Sequence, residues 1–246
     1  MRVILPPSET KSDGGHGAPL DLAALSFPAA TATRRRLVDA LVDLSSDLGA
    51  SRAALGLGAT AVAEVDRNAD LWAAPTRPAV ERYTGVLYDA LDFPGMTAAT
   101  KTKALDRVLI GSALFGVLRA GDPIPAYRLS AGSKLPGSPT LAAVWKPVLR
   151  EVFDGIDDFI VDLRSGAYQN LGRVAGAVTV TVVTEKPDGS RSIVSHFNKH
   201  HKGLVARDLV RTRRRVADIE AVAAVLSDAG QRVEIADPTT VVVVTD

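Results

Sequence analysis

Side chains that could bind an anion or move a proton first occur at residues 8–11, directly after an apolar segment and two prolines. Ser8, Glu9 and Lys11 could hold an anion, pair with one another or do acid–base work. A loop that follows a strand is a frequent place for a ligand, because it lies at the edge of a sheet. The other interpretation is a capped turn whose charges are solvated. Both interpretations stay open, and Glu9 and Lys11 are candidate catalytic residues.

A second group surrounds the tripeptide Phe115-Gly116-Val117, in a stretch, residues 114–119, that is predicted to form a short turn of helix. A glycine between two hydrophobic residues resembles the hairpin of helix-hairpin-helix DNA-binding motifs. Such a hairpin presents backbone N–H groups to a phosphate at the start of a helix. Gly116 is therefore a candidate phosphate contact. Three residues further along that could stack on a base or hold a phosphate are Tyr127, Arg128 and Lys134.

Polar residues also follow the apolar segment 159–161, which is predicted to be a buried strand. Polar groups just past a buried strand are good candidates for a site. Here they are Asp162, Arg164, Ser165 and Tyr168. Asp162 is a candidate acid or base, and the other three are candidate anion-binding residues. The alternative is a turn at the strand exit, in which the Asp and Ser side chains cap the next segment.

The last group, residues 195–207, combines three histidines with cationic and amide side chains. The histidines raise the question of a metal, but the chain has no cysteine and no His–Glu pair with the spacing of zinc hydrolases. We therefore expect no metal and no cofactor. Anion binding is the better interpretation, and the residues that would provide it are Asn198, Lys199, Lys202 and Arg207. Lys199 is also a candidate catalytic residue.

The pattern of apolar residues predicts the elements that must position these groups. Strands are predicted at residues 2–5, 107–110, 159–163, 233–235 and 241–244, and a β-hairpin at 177–184 and 191–197. Helices are predicted at 33–48, with Gly49 as the stop, and at 60–72, 140–153, 204–210 and 216–226. No repeat or linker divides the chain. We therefore predict that residues 1–246 form a single compact domain of the α+β class with a mixed sheet.

Composition narrows the class of protein further. The 246 residues are 46% hydrophobic, so the chain can bury a sizeable core without disulfides or a structural metal. The absence of cysteine excludes disulfides, thiolate catalysis and cysteine-ligated metals. The first apolar run is too short for a signal peptide, and no stretch is long enough to span a membrane. We expect a cytoplasmic protein that has no membrane partner.

The formal net charge of +1 conceals a local excess. Residues 199–215 contain seven Lys or Arg residues and a single acid, Asp208. We call this stretch the basic segment. It is predicted to form a positive surface, which would attract an anionic partner.

The order of these motifs resembles the YaaA family. The chain contains, in this order, Pro-Ser-Glu-Thr-Lys, Tyr-Thr-Gly, Leu-Phe-Gly-Val-Leu-Arg, Tyr-Arg-Leu, Asp-Leu-Arg-Ser-Gly-Ala-Tyr and Phe-Asn-Lys-His-His-Lys-Gly. The resemblance extends over residues 1–209, and the first motif is similar to that of the actinobacterial branch. It implies an α+β body with a helix-hairpin-helix-like element and a positively charged cleft. It also implies double-stranded DNA as a partner and a role in surviving hydrogen peroxide, linked to DNA damage and intracellular iron.

Three functions are open at this point. A DNA-binding protein of the peroxide stress response would hold phosphates with the hairpin and the basic segment. An enzyme acting on a nucleobase, nucleotide or DNA lesion would use Glu9 or Asp162 as acid or base, with Lys199 or Lys202 as nucleophile or electrostatic partner. The third possibility is a structural body with a solvated basic helix.

Both ligand-binding hypotheses predict that the loops at 8–11, 127–134, 162–168 and 198–207 line one cleft. Charged groups that a core cannot house must face solvent, one another or a ligand. An enclosed pocket would favour an enzyme with a nucleotide-like anionic small molecule as substrate. An open groove as wide as a duplex would favour DNA. The sequence makes no prediction about the oligomeric state.

Overall fold

The computed structural model describes residues 1–193 and 198–245. Its strands are β1 Arg2–Leu5, β2 Gly17–Pro19, β3 Pro75–Pro78, β4 Val108–Ser112, β5 Gly116–Arg119, β6 Pro123–Ile124, β7 Ile160–Asp162, β8 Val178–Glu185, β9 Arg191–Ile193, β10 Arg232–Asp237 and β11 Thr240–Thr245. Its helices are α1 Thr31–Leu44, α2 Leu48–Leu55, α3 Val62–Ala69, α4 Ala79–Arg82, α5 Val86–Leu91, α6 Ala98–Arg107, α7 Leu141–Asp154, α8 Gly166–Gln169, α9 Asn198–Arg211 and α10 Ile219–Asp228. None of the helices in these two ranges is long and apolar enough to cross a membrane.

The main sheet has the strand order β10-β11-β8-β7-β1-β4-β5, and β9 pairs with β8. The five strands from β11 to β4 run parallel to one another. Strands β10, β5 and β9 pair antiparallel, and a small second sheet joins β2, β3 and β6. A mixed sheet with helices around it confirms the predicted α+β class.

Strand β1 comes first in the chain and lies in the middle of the main sheet. Its residues Val3, Ile4 and Leu5 are all completely buried. Because successive side chains of a strand point to opposite faces, both faces of the sheet are covered here. From β1 the chain builds β4 and β5 on one side and then β7, β8 and β11 on the other. In sheets of this kind, ligands bind at the carboxyl ends of the strands where the strand order reverses.

Helix α1 is shorter than the predicted helix 33–48. It ends at Leu44, and a new helix, α2, begins at Leu48. The reason is Asp47, whose carboxylate accepts a hydrogen bond of 2.9 Å from the backbone N–H of Ala50 and caps α2. Gly49 was predicted to stop a helix and instead lies in the first turn of one.

The predicted helical turn at residues 114–119 is wrong, because these residues form the end of a tight β-hairpin. Strand β5 pairs antiparallel with β4, in a register that places Gly116 opposite Ser112. Phe115 and Val117 are completely buried, and their carbonyl groups accept hydrogen bonds of 3.0 and 2.8 Å from the buried Arg34 guanidinium. The tripeptide therefore belongs to the core, and it does not form a helix-hairpin-helix element.

Gly116 has a packing role in this hairpin. Its φ is +74°, a conformation that strongly favours glycine. A Cβ atom at this position would lie 2.6 Å from the ring of Trp145 in α7. Gly116 is also buried. This packing does not support its assignment as a phosphate contact, which stays a prediction.

Most other predicted elements agree with the structure to within a few residues. The helix predicted at 204–210 is an exception, because α9 begins six residues earlier, at Asn198, in the stretch that was expected to be a loop. Strand β1, helix α7 and the last hairpin, β10–β11, are confirmed. The hairpin predicted at 177–184 and 191–197 corresponds to β8 and β9, which pair antiparallel. Its end, residues 194–197, lies outside the described part of the chain.

Candidate functional site

The carboxyl ends of three parallel strands meet at one edge of the main sheet. In the register of the sheet, Ile4 of β1 lies opposite Asp162 of β7, and Leu5 lies opposite Ile110 of β4. The loop after β1 carries Lys11. Ser112 is the last residue of β4. The sheet therefore gathers residues from distant parts of the sequence at the place where a ligand site is expected.

Lys11 lies at the centre of this edge and is half-buried. Its Nζ donates hydrogen bonds to the backbone carbonyls of Ser8, at 3.0 Å, and Glu9, at 3.3 Å. The same nitrogen lies 4.2 Å from the centre of the Tyr127 ring and 5.4 Å from that of Tyr83. Within the described part of the chain it forms no ion pair. The amine is thus held by neutral groups alone.

This environment lowers the pKa of Lys11 to about 7, mainly because burial disfavours the charged form. The charges that act on it are those of Arg128 and Arg67, which lower the pKa, and of Glu64 and Glu9, which raise it. A large fraction of Lys11 is therefore an uncharged amine at neutral pH, which makes it a potential nucleophile.

The backbone of residues 10–12 is joined to that of residues 82–84. The N–H of Ser12 donates to the carbonyl of Arg82 at 2.9 Å, and the N–H of Thr84 donates to that of Thr10 at 3.3 Å. Lys11 and Tyr83 form a β-bridge between these two bonds. The loop that carries Lys11 is therefore attached to the segment that carries Tyr83.

All four tyrosines of the chain come together here. The Tyr127 hydroxyl shares hydrogen bonds of 2.7 Å with the hydroxyls of Tyr83 and Ser112, and the Tyr88 ring stacks on Tyr83 at 5.6 Å. Burial raises the pKa of Tyr83, Tyr88 and Tyr127, and Tyr168 raises each of them further. These hydroxyls stay protonated at neutral pH. Together they form an aromatic wall behind Lys11.

Arg128 is the fixed cation of the site. Its backbone N–H donates to Asn68 Oδ1 at 2.8 Å, and the Asn68 Nδ2 donates to the Arg128 carbonyl at 2.9 Å. Its Nη2 donates to Glu9 Oε2 at 3.0 Å. Its Nε is buried and has no hydrogen-bond partner in residues 1–193 or 198–245. Burial raises the pKa of Tyr168 to about 12, with a smaller increase from Glu9, so Tyr168 also belongs to this group.

Asp162 forms a buried ion pair with Arg164. The carboxylate accepts bonds of 2.9 Å from Arg164 Nε and 2.8 Å from Nη2, and both side chains are at most 4% exposed. Arg164 also donates to the backbone carbonyls of Gly172 and Tyr168. The Asp162 carboxylate therefore fixes the position of the Arg164 side chain. Arg164 in turn fixes the backbone that follows β7, through its bonds to the carbonyls of Tyr168 and Gly172.

The fourth predicted loop reaches this edge through Lys202. Its Nζ donates to the carbonyls of Leu163, at 3.1 Å, and Arg164, at 3.5 Å. Burial lowers its pKa, against the effect of Asp162. Lys199 is exposed, and Arg207 lies 3.8 Å from Asp208, its neighbour on α9.

The structure thus brings together six of the predicted site residues, which are Ser8, Glu9, Lys11, Tyr127, Arg128 and Tyr168. Three line the adjacent strand exit, and they are Asp162, Arg164 and Lys202. Ser165 and Lys134 are exposed, and Asn198, whose Oδ1 is buried without a partner among the described residues, begins α9. The catalytic and binding roles of all these residues stay predictions.

Sequence reasoning missed the residues that organise the site from a distance. Asn68 holds the backbone of Arg128, which is 60 residues away. Ser112 and Tyr88 also lacked any local signal. In the sequence, Tyr83 is visible only as part of the Tyr-Thr-Gly motif.

Two surface pockets lie beside the Lys11 site. One of about 630 Å³ has Tyr83, Thr84 and Tyr88 in its wall. Another, of about 340 Å³, is lined in part by Asp13 and Arg67. Neither contains Lys11 or Arg128. Within residues 1–193 and 198–245 no cluster of three His, Asp or Glu residues could hold a metal ion, and the expectation of no metal or cofactor stays a prediction.

Replacing Lys11 by methionine is expected to stabilise the protein by about 2 kcal/mol at pH 7. In the native state the pKa of Lys11 is about 7, below its ordinary value of 10.5. At and below pH 7 the folded state carries most of the cost of burying a charge, and the cost is lost as the pH rises towards 10. Urea denaturation at pH 7 and pH 10 measures this. The increase in the free energy of unfolding should be smaller at pH 10 than at pH 7. Lys134→Met, at an exposed lysine, should change the free energy of unfolding little at either pH. Destabilisation of Lys11→Met at both pH values would contradict it.

The fold and the site define an α+β protein with a polar, lysine-centred site at the carboxyl ends of parallel strands. The chain belongs to the YaaA family, because the family model described as "Peroxide stress protein YaaA" matches residues 1–233. The match extends beyond residue 209, where the resemblance recognised in the sequence ends.

Relatives of this chain are found in actinobacteria and beyond. It is 50% identical over 239 residues to UPF0246 protein CE1889 of Corynebacterium efficiens, covering 96% of this chain and 95% of the relative. It is 41% identical over 245 residues to UPF0246 protein SCO2297 of Streptomyces coelicolor, covering 97% and 94%. An uncharacterized protein of Campylobacter jejuni, Cj0984, is 26% identical over 208 residues, covering 83% and 82%. The actinobacterial resemblance is confirmed.

Proposed function

We propose that this chain serves the peroxide stress response as an enzyme that acts on an oxidised nucleobase, nucleotide or DNA lesion at the Lys11 site. The observation that carries the proposal is a half-buried lysine without an ion-pair partner among the described residues, with a pKa of about 7, at the strand-order reversal. A lysine kept in this state is costly for the fold, and such groups cluster at functional sites. A solvated surface charge needs none of these surroundings.

Arg128 is the group that would hold the anionic part of the substrate. Among the described residues its carboxylate partner is Glu9, whose side chain is 65% exposed. An exposed ion pair of this kind is worth about 1 kcal/mol or less. A phosphate can therefore displace Glu9 and form a bidentate pair with the guanidinium. Glu9 would then be free to act as an acid or base beside Lys11.

We expect Arg128→Ala to weaken the binding of a nucleotide with an oxidised guanine base by about tenfold or more. A hydrogen bond to a charged group contributes about 1.5 to 3 kcal/mol. Isothermal titration calorimetry at 0.1 M salt measures this, with the unmodified nucleotide as comparison. Arg150→Ala removes another carboxylate-paired arginine, since Arg150 lies 3.7 Å from Asp154 on α7, and it should bind like wild type. Equal binding by both variants, or no nucleotide binding at all, would contradict the proposal.

A second candidate function is the binding of double-stranded DNA through a positive surface, and the basic segment favours it. Three of its seven cations lie within 4 Å of an acid, in the pairs Arg207–Asp208, Arg211–Asp92 and Arg214–Asp228. Lys199, Arg213 and Arg215 are exposed, and they form no ion pair within the described part of the chain. Exposed cations of this kind bind phosphates without regard to sequence, with an affinity that falls steeply with salt.

The two candidates differ in which residues they need. Duplex binding that is lost in the double variant Arg213→Ala/Arg215→Ala and kept in Arg128→Ala would support the passive DNA-binding function. Loss in Arg128→Ala with the double variant unaffected would support the Lys11 site. Fluorescence anisotropy at two salt concentrations separates these outcomes.

A further inference from the structure

We infer that the Lys11 amine condenses with the aldehyde of a phosphorylated sugar to form a Schiff base. This inference deepens the proposed function and rests on it, because it names the substrate class of the same site. The shared chemistry is an open-chain sugar aldehyde beside a phosphate. It has two sources, which are an abasic position in DNA and a free sugar phosphate.

The geometry around Lys11 suits a reacting amine better than a structural ion pair. Nζ is bound to two backbone carbonyls and lies over the Tyr127 ring, and in residues 1–193 and 198–245 it forms no ion pair with a carboxylate that would keep it protonated. Lys202, the other lysine at this edge, is bound in a similar way to two carbonyls, and burial lowers its pKa against the effect of Asp162. At Lys11 the charges of Arg128 and Arg67 lower the pKa together with burial, against those of two glutamates. Lys11 is therefore the amine whose surroundings favour the free base.

The groups beside Lys11 suit a phosphorylated sugar. Arg128 is on one side, with its Nε unpartnered among the described residues and its Nη2 on the exposed Glu9. The hydroxyls of Ser8 and Thr10, in the loop that carries Lys11, lie 3.1 Å apart. They lie close to Gly85, where a Cβ would be 3.3 Å from Thr10 Oγ1. A guanidinium and two hydroxyls from two neighbouring loops can bind a phosphate and sugar hydroxyls together.

The reaction is balanced without any further reagent. The lone pair of the neutral amine attacks the aldehyde carbon, forming a C–N bond, and the carbonyl π electrons move to oxygen. This oxygen takes one proton from the nitrogen and one from solvent and leaves as water. The product is a protonated imine on Nζ that keeps one N–H. An acidic medium protonates the amine and stops the first step.

The test uses wild-type protein with cyanoborohydride, which reduces a protonated imine to a stable secondary amine. One arm contains 2-deoxyribose 5-phosphate, and the other contains a duplex with a single abasic position. Peptide mass mapping locates the adduct. We expect one dominant adduct on Lys11, and we expect its initial rate to rise about tenfold from pH 6 to pH 8, since the pKa of about 7 makes the amine mostly neutral at the higher pH.

The two substrates and the variants decide whether Lys11 forms the Schiff base and which source the aldehyde has. Labelling of Lys11 by the duplex alone identifies DNA as the source, and labelling by the sugar phosphate identifies a free metabolite. Lys11→Arg, which keeps the charge and the ring contact, should lose the adduct, and Lys146→Ala, at an exposed lysine of α7, should keep it. An adduct found only on exposed lysines such as Lys134 and Lys199, or no adduct in either arm, overturns the inference. Without a Lys11 adduct, the proposed function still stands if nucleotide binding depends on Arg128. If the protein also binds no nucleotide, both the Schiff-base inference and the proposed function fail.

Discussion

Gly116→Ala should destabilise the protein by about 3 kcal/mol and reduce its soluble yield. The new Cβ would lie 2.6, 2.9 and 3.0 Å from three ring atoms of Trp145. This ring is completely buried, and its Nε1 donates to the carbonyl of Ala113 at 2.8 Å, so it cannot move away cheaply. Overpacking of a core costs about 1 to 3 kcal/mol, and a positive φ of a non-glycine residue costs about 1 kcal/mol more. Urea denaturation measures the loss.

Gly137→Ala is the matched control for this prediction. Gly137 has a similar φ of +68°, but a Cβ there would have nothing within 4 Å. It should cost about 1 kcal/mol from the backbone alone. Equal losses at Gly116 and Gly137 would show that packing against Trp145 is unimportant. A stable Gly116→Ala protein that fails to bind DNA would instead restore the DNA-binding hairpin that the sequence suggested.

Arg164→Met should destabilise the protein by about 3 to 5 kcal/mol. The change leaves the Asp162 carboxylate buried without its cation, and this is among the most costly changes that a core can suffer. It also removes the donors to the carbonyls of Gly172 and Tyr168, at 2.8 and 3.3 Å. The melting temperature and the urea midpoint should both fall.

A double-mutant cycle separates the ion pair from simple packing. Asp162→Asn combined with Arg164→Met should cost clearly less than the sum of the two single changes, because no unpaired charge stays buried. Arg150→Met, at an exposed helical ion pair, should cost less than about 0.5 kcal/mol. Additive losses in the cycle would mean that Asp162 and Arg164 contribute independently.

The sequence predicts those helices and strands whose ends and buried faces are marked by residues close by in the chain. Helix α7 has apolar residues on one face and a capping residue, Thr140, which accepts from the N–H of Ala143 at 3.2 Å. Strand β1 ends at two prolines. By contrast, the residues around Gly116 predict a helical turn, and the structure forms a strand there. Its conformation is determined by pairing with β4 and by packing on Trp145, and these are tertiary contacts.

The same distinction applies to the candidate site. Lys11, Glu9 and Arg128 were predicted because their chemistry and their position after apolar segments are visible in the sequence. The burial of Asp162 was not predictable, because its partner Arg164 was interpreted as a second ligand-binding residue. The pKa of Lys11 is lowered mainly by burial and further by Arg128, more than 100 residues further along the chain, and no local pattern reports such contacts.

The joining of residues 10–12 to residues 82–84 has a consequence for recognition. Two backbone hydrogen bonds and the bridge between Lys11 and Tyr83 hold the loop that carries Lys11 in place before any ligand arrives. The loss of conformational entropy has therefore already occurred during folding, and a ligand does not have to order this part of the site. Such a preorganised site selects its ligand by rigid fit, so discrimination between related molecules depends on shape and charge, with little contribution from loop closure.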